Sequence, residues 1–368
     1  MKCPVPADAP ESPVTPTRPV TTRTIAQAAR VNISTVSRAL RGAPGVSPAE
    51  CKRIRALAAR LGYRPNPFVA AFTAQVRTYR RSPQSATIAL LDCWPEERPR
   101  WANFDDSIDY VGGIRDRAGA LGYAVERIRL IDLDQSLNRL QRLLTTRNIY
   151  GLLILPVPEG TNLSGLDFSH LASATIDFSL QQPTFIRRAS PHYYHNTVLA
   201  LTTLAARGYR RIGYAATNIT EQRQDDLSLA AFYVFNTRHP HLCVEPCLIE
   251  IATRQRDLAA WLRRERPDAL VSSDFLLPDD LCRAGYRVPK DIAAVSLTRP
   301  PDPARRATHI DENYREVGAQ AVDMIVDAIH RNEYGLPTTH VVHLVDGIWH
   351  EGRTVRLRPR ACDNTSLP

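Results

Sequence analysis

Thr24-Ile25-Ala26-Gln27-Ala28-Ala29-Arg30-Val31-Asn32-Ile33-Ser34-Thr35-Val36-Ser37-Arg38-Ala39-Leu40 is the stretch from which the architecture is read. Ile25, Ala28 and Ala29 fall on one face of a short helix, which Thr21 or Thr22 can cap. Asn32 can cap a second helix that turns Val36, Ala39 and Leu40 inward. Outward from there, Arg41-Gly42-Ala43-Pro44-Gly45 is strong turn punctuation. Ser47-Pro48-Ala49-Glu50 then has the form of a capping box with proline at the first helical position. Ile54, Leu57, Ala58 and Leu61 follow at i, i+3, i+4 and i+7, and Gly62 ends the pattern. Three helices this short bury little area, so the unit reads as a module with a dedicated task.

The charge distribution points to that task. The 368-residue chain carries a formal net charge of +9. Between Thr21 and Pro83 stand twelve basic residues and one acid, Glu50, so this segment carries +11 and the remainder sums to −2. A local basic excess of this kind is the footprint of a polyanionic partner. The apolar fraction of 43% is ordinary for a globular protein, and no apolar run approaches the roughly 20 residues of a membrane span. Residues 1–20, rich in Pro, Thr and Ala, read as a disordered tail without the apolar core of a signal peptide, which predicts a cytoplasmic protein. The seven cysteines show no disulfide framework and read as reduced thiols.

Beyond residue 85 the texture becomes alternating strands and helices. Strands are expected at Thr87–Leu91, Tyr123–Arg129, Gly151–Leu155, Ala174–Phe178, Arg211–Ala215, Cys247–Ile251, Ala269–Ser272, Ile292–Leu297 and Val341–Val345. Leu121-Gly122-Tyr123, Arg207-Gly208-Tyr209 and Ala284-Gly285-Tyr286 each read as a glycine helix stop before a strand. That punctuation suits βαβ crossovers and parallel sheets. About nine strands over this length fit two doubly wound lobes better than one, with ligands at the strand C-terminal ends in the cleft between them.

The headpiece stretch resembles the helix-turn-helix of the lactose-repressor (LacI/GalR) family, whose second helix carries Thr-Val-Ser-Arg. The likeness continues through Val46-Ser47 and Leu61-Gly62-Tyr63-Arg64-Pro65-Asn66. It extends to Gly208-Tyr209-Arg210-Arg211-Ile212-Gly213, to Gly285-Tyr286-Arg287-Val288-Pro289-Lys290-Asp291-Ile292, and to Val317-Gly318-Ala319-Gln320-Ala321 and Arg353-Thr354. The resemblance implies a multidomain protein: a small all-α helix-turn-helix headpiece with a hinge helix, then a two-lobed α/β core with parallel sheets like that of periplasmic binding proteins. Its implied divisions are a tail at 1–20, the DNA-binding domain at 21–66, and hinge helix and linker at 67–85. The N-terminal lobe follows at 86–188 with 310–335, the C-terminal lobe at 189–309 with 336–358, and a second tail at 359–368.

The same resemblance assigns roles. Ile33, Ser34 and Arg38 would face base edges in the major groove, Arg38 pairing bidentately with guanine. Thr21, Asn32, Thr35 and Ser37 are placed for phosphate contacts. Asn66 belongs to the lead-in to the hinge, where Val69 and Phe72 match residues that enter the minor groove, and Phe72 is a competent wedge. Arg30 replaces the family's turn glycine, at a cost of about 1 kcal/mol if its backbone is left-handed. Ser296-Leu297-Thr298-Arg299 stands where the family has a pocket aspartate, and Arg223 lies five residues before the family's effector-binding arginine. For the effector pocket the candidates are Asp92, Trp94, Trp101, Arg223 and Asp274, an aromatic and charged set suited to a sugar.

The expected function is a DNA-binding regulator, a repressor by the family's common mode. It would bind a near-palindromic double-stranded operator as a homodimer and respond to a small-molecule, carbohydrate-like effector, with no membrane partner and no cofactor. The competing reading is a cytoplasmic two-lobed ligand-binding protein without operator recognition. Among enzymes, no Gly-rich phosphate loop, nucleophile elbow or His-Glu-x-x-His motif occurs. His239, His241, Cys243 and Cys247 have a spacing open to zinc, but structural sites use tighter knuckles, and no metal is expected.

Overall fold

The computed structural model describes residues 22–41, 46–61, 86–95, 109–273, 277–300 and 306–356. The chain divides into two compact units, residues 1–77 and 78–368. In the first, α1 (Thr22–Ala29), α2 (Ile33–Arg41) and α3 (Pro48–Arg60) enclose Ile25, Ala26, Val36, Ala39, Ile54 and Ala58. Ala26 takes the inward position expected of Ala28, which is exposed. Ser47 caps α3 by accepting from the Glu50 N–H at 3.3 Å. The reciprocal half of the capping box is replaced: the Glu50 carboxylate takes a two-pronged bond from Arg53, at 2.9 and 2.7 Å. Arg53 and Arg55 also donate to the carbonyls of Ala29 and Ala39, near the C-terminal ends of α1 and α2, at 3.0 and 3.1 Å. Those carbonyls have no partner within their own helices, so these two cations hold the headpiece together.

Among the described residues the second unit has two six-stranded sheets. The first contains β1 (Ala86–Asp92), β2 (Tyr123–Arg129), β3 (Gly151–Ile154), β4 (Ala172–Ile176), β5 (Arg187–Pro191) and β11 (Val342–Val345), ordered β11-β5-β4-β3-β1-β2 and wholly parallel. The second contains β6 (Ile212–Thr217), β7 (Cys247–Ile249), β8 (Ala269–Ser272), β9 (Ala293–Ser296), β10 (His309–Asp311) and β12 (Ile348–His350), ordered β12-β10-β9-β8-β6-β7. Among the described strands of this sheet only β12 runs antiparallel to its neighbour. Gly122 and Gly208 follow helix ends at φ +80° and +88°, a conformation that glycine adopts without strain.

Each lobe is a sheet with buried apolar clusters on both faces. In the first lobe, α4 (Tyr110–Ala120) packs on α11 (Tyr314–Arg331) at very close range. A Cβ on Gly318 would sit 2.4 Å from the Tyr110 carbonyl, and one on Gly113 would sit 1.9 Å from that of Arg315.

Among the described residues the chain crosses between lobes three times: after β5, between β10 and α11, and between β11 and β12. Sheet pairing moves the expected boundaries. β5 lies whole in the first sheet through Pro191, β10 with Ile310 and Asp311 belongs to the second, and β11 joins the first although 336–358 was assigned to the C-terminal lobe. The reason is edge pairing: β11 extends the first sheet beside β5 in the register Val342↔Arg188, a choice between distant strands that has no local signature. Among the described residues no helix is long and apolar enough to cross a membrane.

Candidate functional site

The first unit offers a helix start. The Asn32 carbonyl accepts from the Thr35 and Val36 N–H groups at 2.9 and 3.2 Å, which sets the beginning of α2. Val36 and Ala39 are fully buried, so this face is fixed against α1 and α3. The 100° step of the helix then turns Arg38 outward, where it is exposed, with Asn32 exposed and Thr35 and Ser37 half-buried. Ile33 is the first residue of α2 and Ser34 the second; their side chains lie outside the described residues, as do Thr21, Asn66, Val69 and Phe72. Arg30 is left-handed, with φ 54°.

In the second unit, the strand C-terminal ends of the two lobes face one another. Asp92 ends β1, fully buried: Oδ1 accepts from the Trp94 N–H at 3.0 Å and Oδ2 pairs with Arg127 of β2 at 2.7 Å. Asp92 therefore fixes the loop that carries Trp94. The buried Trp94 indole donates to the Pro156 carbonyl at 2.7 Å. Arg223, at the end of the short helix α7 (Asn218–Arg223) in the second lobe, donates to the Val157 carbonyl of the first lobe at 2.7 Å. Its guanidinium carbon lies 5.7 Å from the Trp94 ring centroid, a cation–π distance. Asp92, Trp94 and Arg223 thus converge, while Trp101 and Asp274 lie outside the described residues.

Beside them lies a cluster that sequence reading missed. Asp177 follows β4 at φ 66° and is 8% exposed; its Oδ1 accepts from the Phe178 N–H at 2.7 Å and from the Tyr193 hydroxyl at 2.9 Å. Glu312 follows β10 and is 2% exposed, bonded by the Tyr314 hydroxyl. That hydroxyl lies 2.5 Å from Thr298 Oγ1, just past β9. Tyr110 packs edge-on against Tyr314, with ring centroids 5.0 Å apart. Burial pushes the Asp177 carboxyl up, and the positive charge of Arg223 pulls it partly back. Burial pushes Glu312 up to about 8, above the pull of its hydrogen bonds. The arrangement sets two buried carboxyl groups, three tyrosine rings and one guanidinium at the junction of the lobes, suited to a compact ligand rich in hydroxyl groups. Asp177 was legible as a strand-end acid. Glu312 was not, because it follows a three-residue strand without an apolar pattern.

The His239–Cys247 segment does not gather as zinc ligands do. Burial pushes the Cys243 thiol up to about 12 and Cys247 up to about 11, away from the thiolate, and both histidines are exposed.

Two family models match the chain. That of the bacterial regulatory proteins of the lacI family covers residues 21–66, and that of the periplasmic binding protein-like domain covers 201–350. No curated protein sequence matches. Among solved structures, the transcriptional regulator CelR in complex with cellobiose superposes with a TM-score of 0.56 at 18% identity, over 91% of this chain and 100% of that one. The lac repressor dimer bound to operator and the anti-inducer ONPF gives 0.52 at 19% identity, over 92% and 99%. The transcription regulator CcpA of Lactococcus lactis gives 0.53 at 12% identity, over 74% and 100%.

Proposed function

The chain belongs to the lacI family of bacterial regulatory proteins, and from that premise we propose that it acts in the cytoplasm as a repressor. Two copies bind a near-palindromic operator, one half-site to each headpiece. Ligand in the inter-lobe cleft changes the affinity for DNA. The observation that carries this reading is α2: its inner face is locked by Val36 and Ala39, which leaves Arg38 outward in the second turn of the helix, in the most basic part of the chain.

On this reading Ile33, Ser34 and Arg38 read bases, and Thr21, Asn32, Thr35, Ser37 and Asn66 hold phosphates. Val69 and Phe72 enter the minor groove at the hinge. The effector is sugar-like and touches Trp94 and Arg223 together with the Asp177–Glu312 cluster; Trp101 and Asp274 are further candidates for its contacts. CelR with cellobiose is a related protein holding such a ligand, which supports the class. Asp92 serves as a support, its carboxylate taken by Arg127 and the Trp94 loop.

Selection from a pool of random duplexes by the wild type and by Arg38→Ala tests the proposal. The wild type is expected to enrich a near-palindrome, and the variant to lose about 1–3 kcal/mol of discrimination at one base pair of each half-site. If the wild type enriches nothing at any salt concentration, the protein is a two-lobed ligand binder instead.

A further inference from the structure

Where β5 ends and the chain first crosses between lobes, His192 precedes the helix α6 (Tyr193–Ala206). His195 stands in its first turn, and the two imidazoles stack with centroids 5.5 Å apart. The crossing between β11 and β12 carries Asp346 onto this pair, with Oδ1 2.7 Å from His192 Nδ1. One ligand atom from each of the three residues lies within 4.8 Å of the other two.

The backbone beneath is fixed. The His192 N–H donates to the Val345 carbonyl at 2.8 Å, and the Gly347 N–H donates to the side chain of buried Asn196 at 2.8 Å. Asn313, from the remaining crossing, donates to the Asp346 carbonyl at 2.7 Å. Both neighbours of Asp346 are thereby tied to the segment that bears the histidines.

We infer that His192, His195 and Asp346 form a binding site for a divalent transition-metal ion of the zinc class, with water completing the shell. Two imidazole nitrogens and one carboxylate oxygen are the donor set of three-ligand zinc sites, and they are too nitrogen-rich for calcium or magnesium. Metal bonds of about 2.0–2.2 Å place tetrahedral ligand atoms roughly 3.4 Å apart. The widest separation, at most 4.8 Å, must therefore close by up to about 1.4 Å and the 2.7 Å His192–Asp346 pair must open by about 0.7 Å, changes within reach of side-chain rotation. The His192 and Asp346 side chains are 32% and 62% exposed, so the rotation meets little packing. The ion takes the place of the hydrogen bond between His192 Nδ1 and Asp346. The positive end of the helix dipole opposes a cation at this place, and the Asp346 charge offsets it.

An ion here links two of the three crossings between lobes and stiffens the movement that a cleft ligand exploits. It would be a second, inorganic effector, at a place separate from the Asp177–Glu312 cluster. The site itself rests on side-chain geometry and holds whether or not the protein reads DNA.

The experiment is a Co²⁺ titration of the full-length protein, followed by visible absorption and equilibrium dialysis, with Zn²⁺ as competitor. One Co²⁺ per chain with the intense d–d bands of a four-coordinate site, displaced by Zn²⁺, is expected. His195→Ala and Asp346→Asn should each weaken it by at least about tenfold, while Cys243→Ser with Cys247→Ser leaves the spectrum unchanged. Absence of a stoichiometric site in the wild type overturns the inference. So does a site that survives His195→Ala combined with Asp346→Asn, or one lost in the cysteine variant. Far-UV circular dichroism of each variant separates lost binding from lost folding, and the wild-type stoichiometry stands on its own.

Discussion

Single residues carry unequal costs in this chain, and Arg30 shows one. Its φ of 54° places a side-chain-bearing residue in the left-handed region, between α1 and α2. Glycine there removes the clash of Cβ with the backbone, so Arg30→Gly is expected to stabilise the headpiece by about 1 kcal/mol. Amide hydrogen exchange within residues 22–61 reads this directly: slower exchange is expected, and unchanged or faster exchange refutes the strain. Glu312 shows another cost. Its folded-state pKa of about 8 lies above the ordinary value of 4.5, so from roughly pH 4.5 to 8 the folded chain holds a proton that the unfolded chain has lost. This contribution to stability is complete below about pH 4.5 and is lost as pH rises through 8. Glu312→Gln, neutral at every pH, should flatten the fall in unfolding midpoint between pH 5 and 8. A variant whose midpoint falls as steeply as that of the wild type removes Glu312 from the account.

At the scale of elements, local pattern and packing made different demands. The helices α1 to α3 follow from spacing and capping because their core residues lie within a few turns of one another. The expected strands were found with ends shifted by a residue or two. β5, β10 and β12 were not expected. β5 opens with two buried arginines and ends in proline, and the other two have three residues each, too few to show alternation. The crossing of α4 and α11 depends on Gly113 and Gly318, where backbone lies where a Cβ would go. Gly318→Ala should cost about 1–3 kcal/mol through overpacking, seen as a lower denaturation midpoint of the second unit. A midpoint equal to that of the wild type means that the helices separate without cost.

For the whole molecule, the +11 of residues 21–83 against −2 elsewhere predicts DNA affinity with a steep salt dependence. Six to ten phosphate contacts would lower affinity by about 10³–10⁵-fold between roughly 50 and 200 mM salt. Arg53→Ala is expected to lower headpiece stability while leaving that slope nearly unchanged, since its guanidinium bonds Glu50 and the Ala29 carbonyl. Fluorescence anisotropy with a selected duplex measures both, and a slope that falls by a full contact moves Arg53 to the DNA surface. The sequence alone determined the three-helix headpiece, its charge and the strand–helix alternation of the core. All of these rest on periodicity, caps and charge within some twenty residues. Only the tertiary structure decided that β11 joins the first sheet, that Arg223 reaches across to Val157 and lies over Trp94, and that Asp177 and Glu312 share one buried cluster of tyrosines. Those pairings join residues far apart along the chain. Sheet register and helix packing select them by burying apolar area over the whole lobe, and no local stretch records that choice.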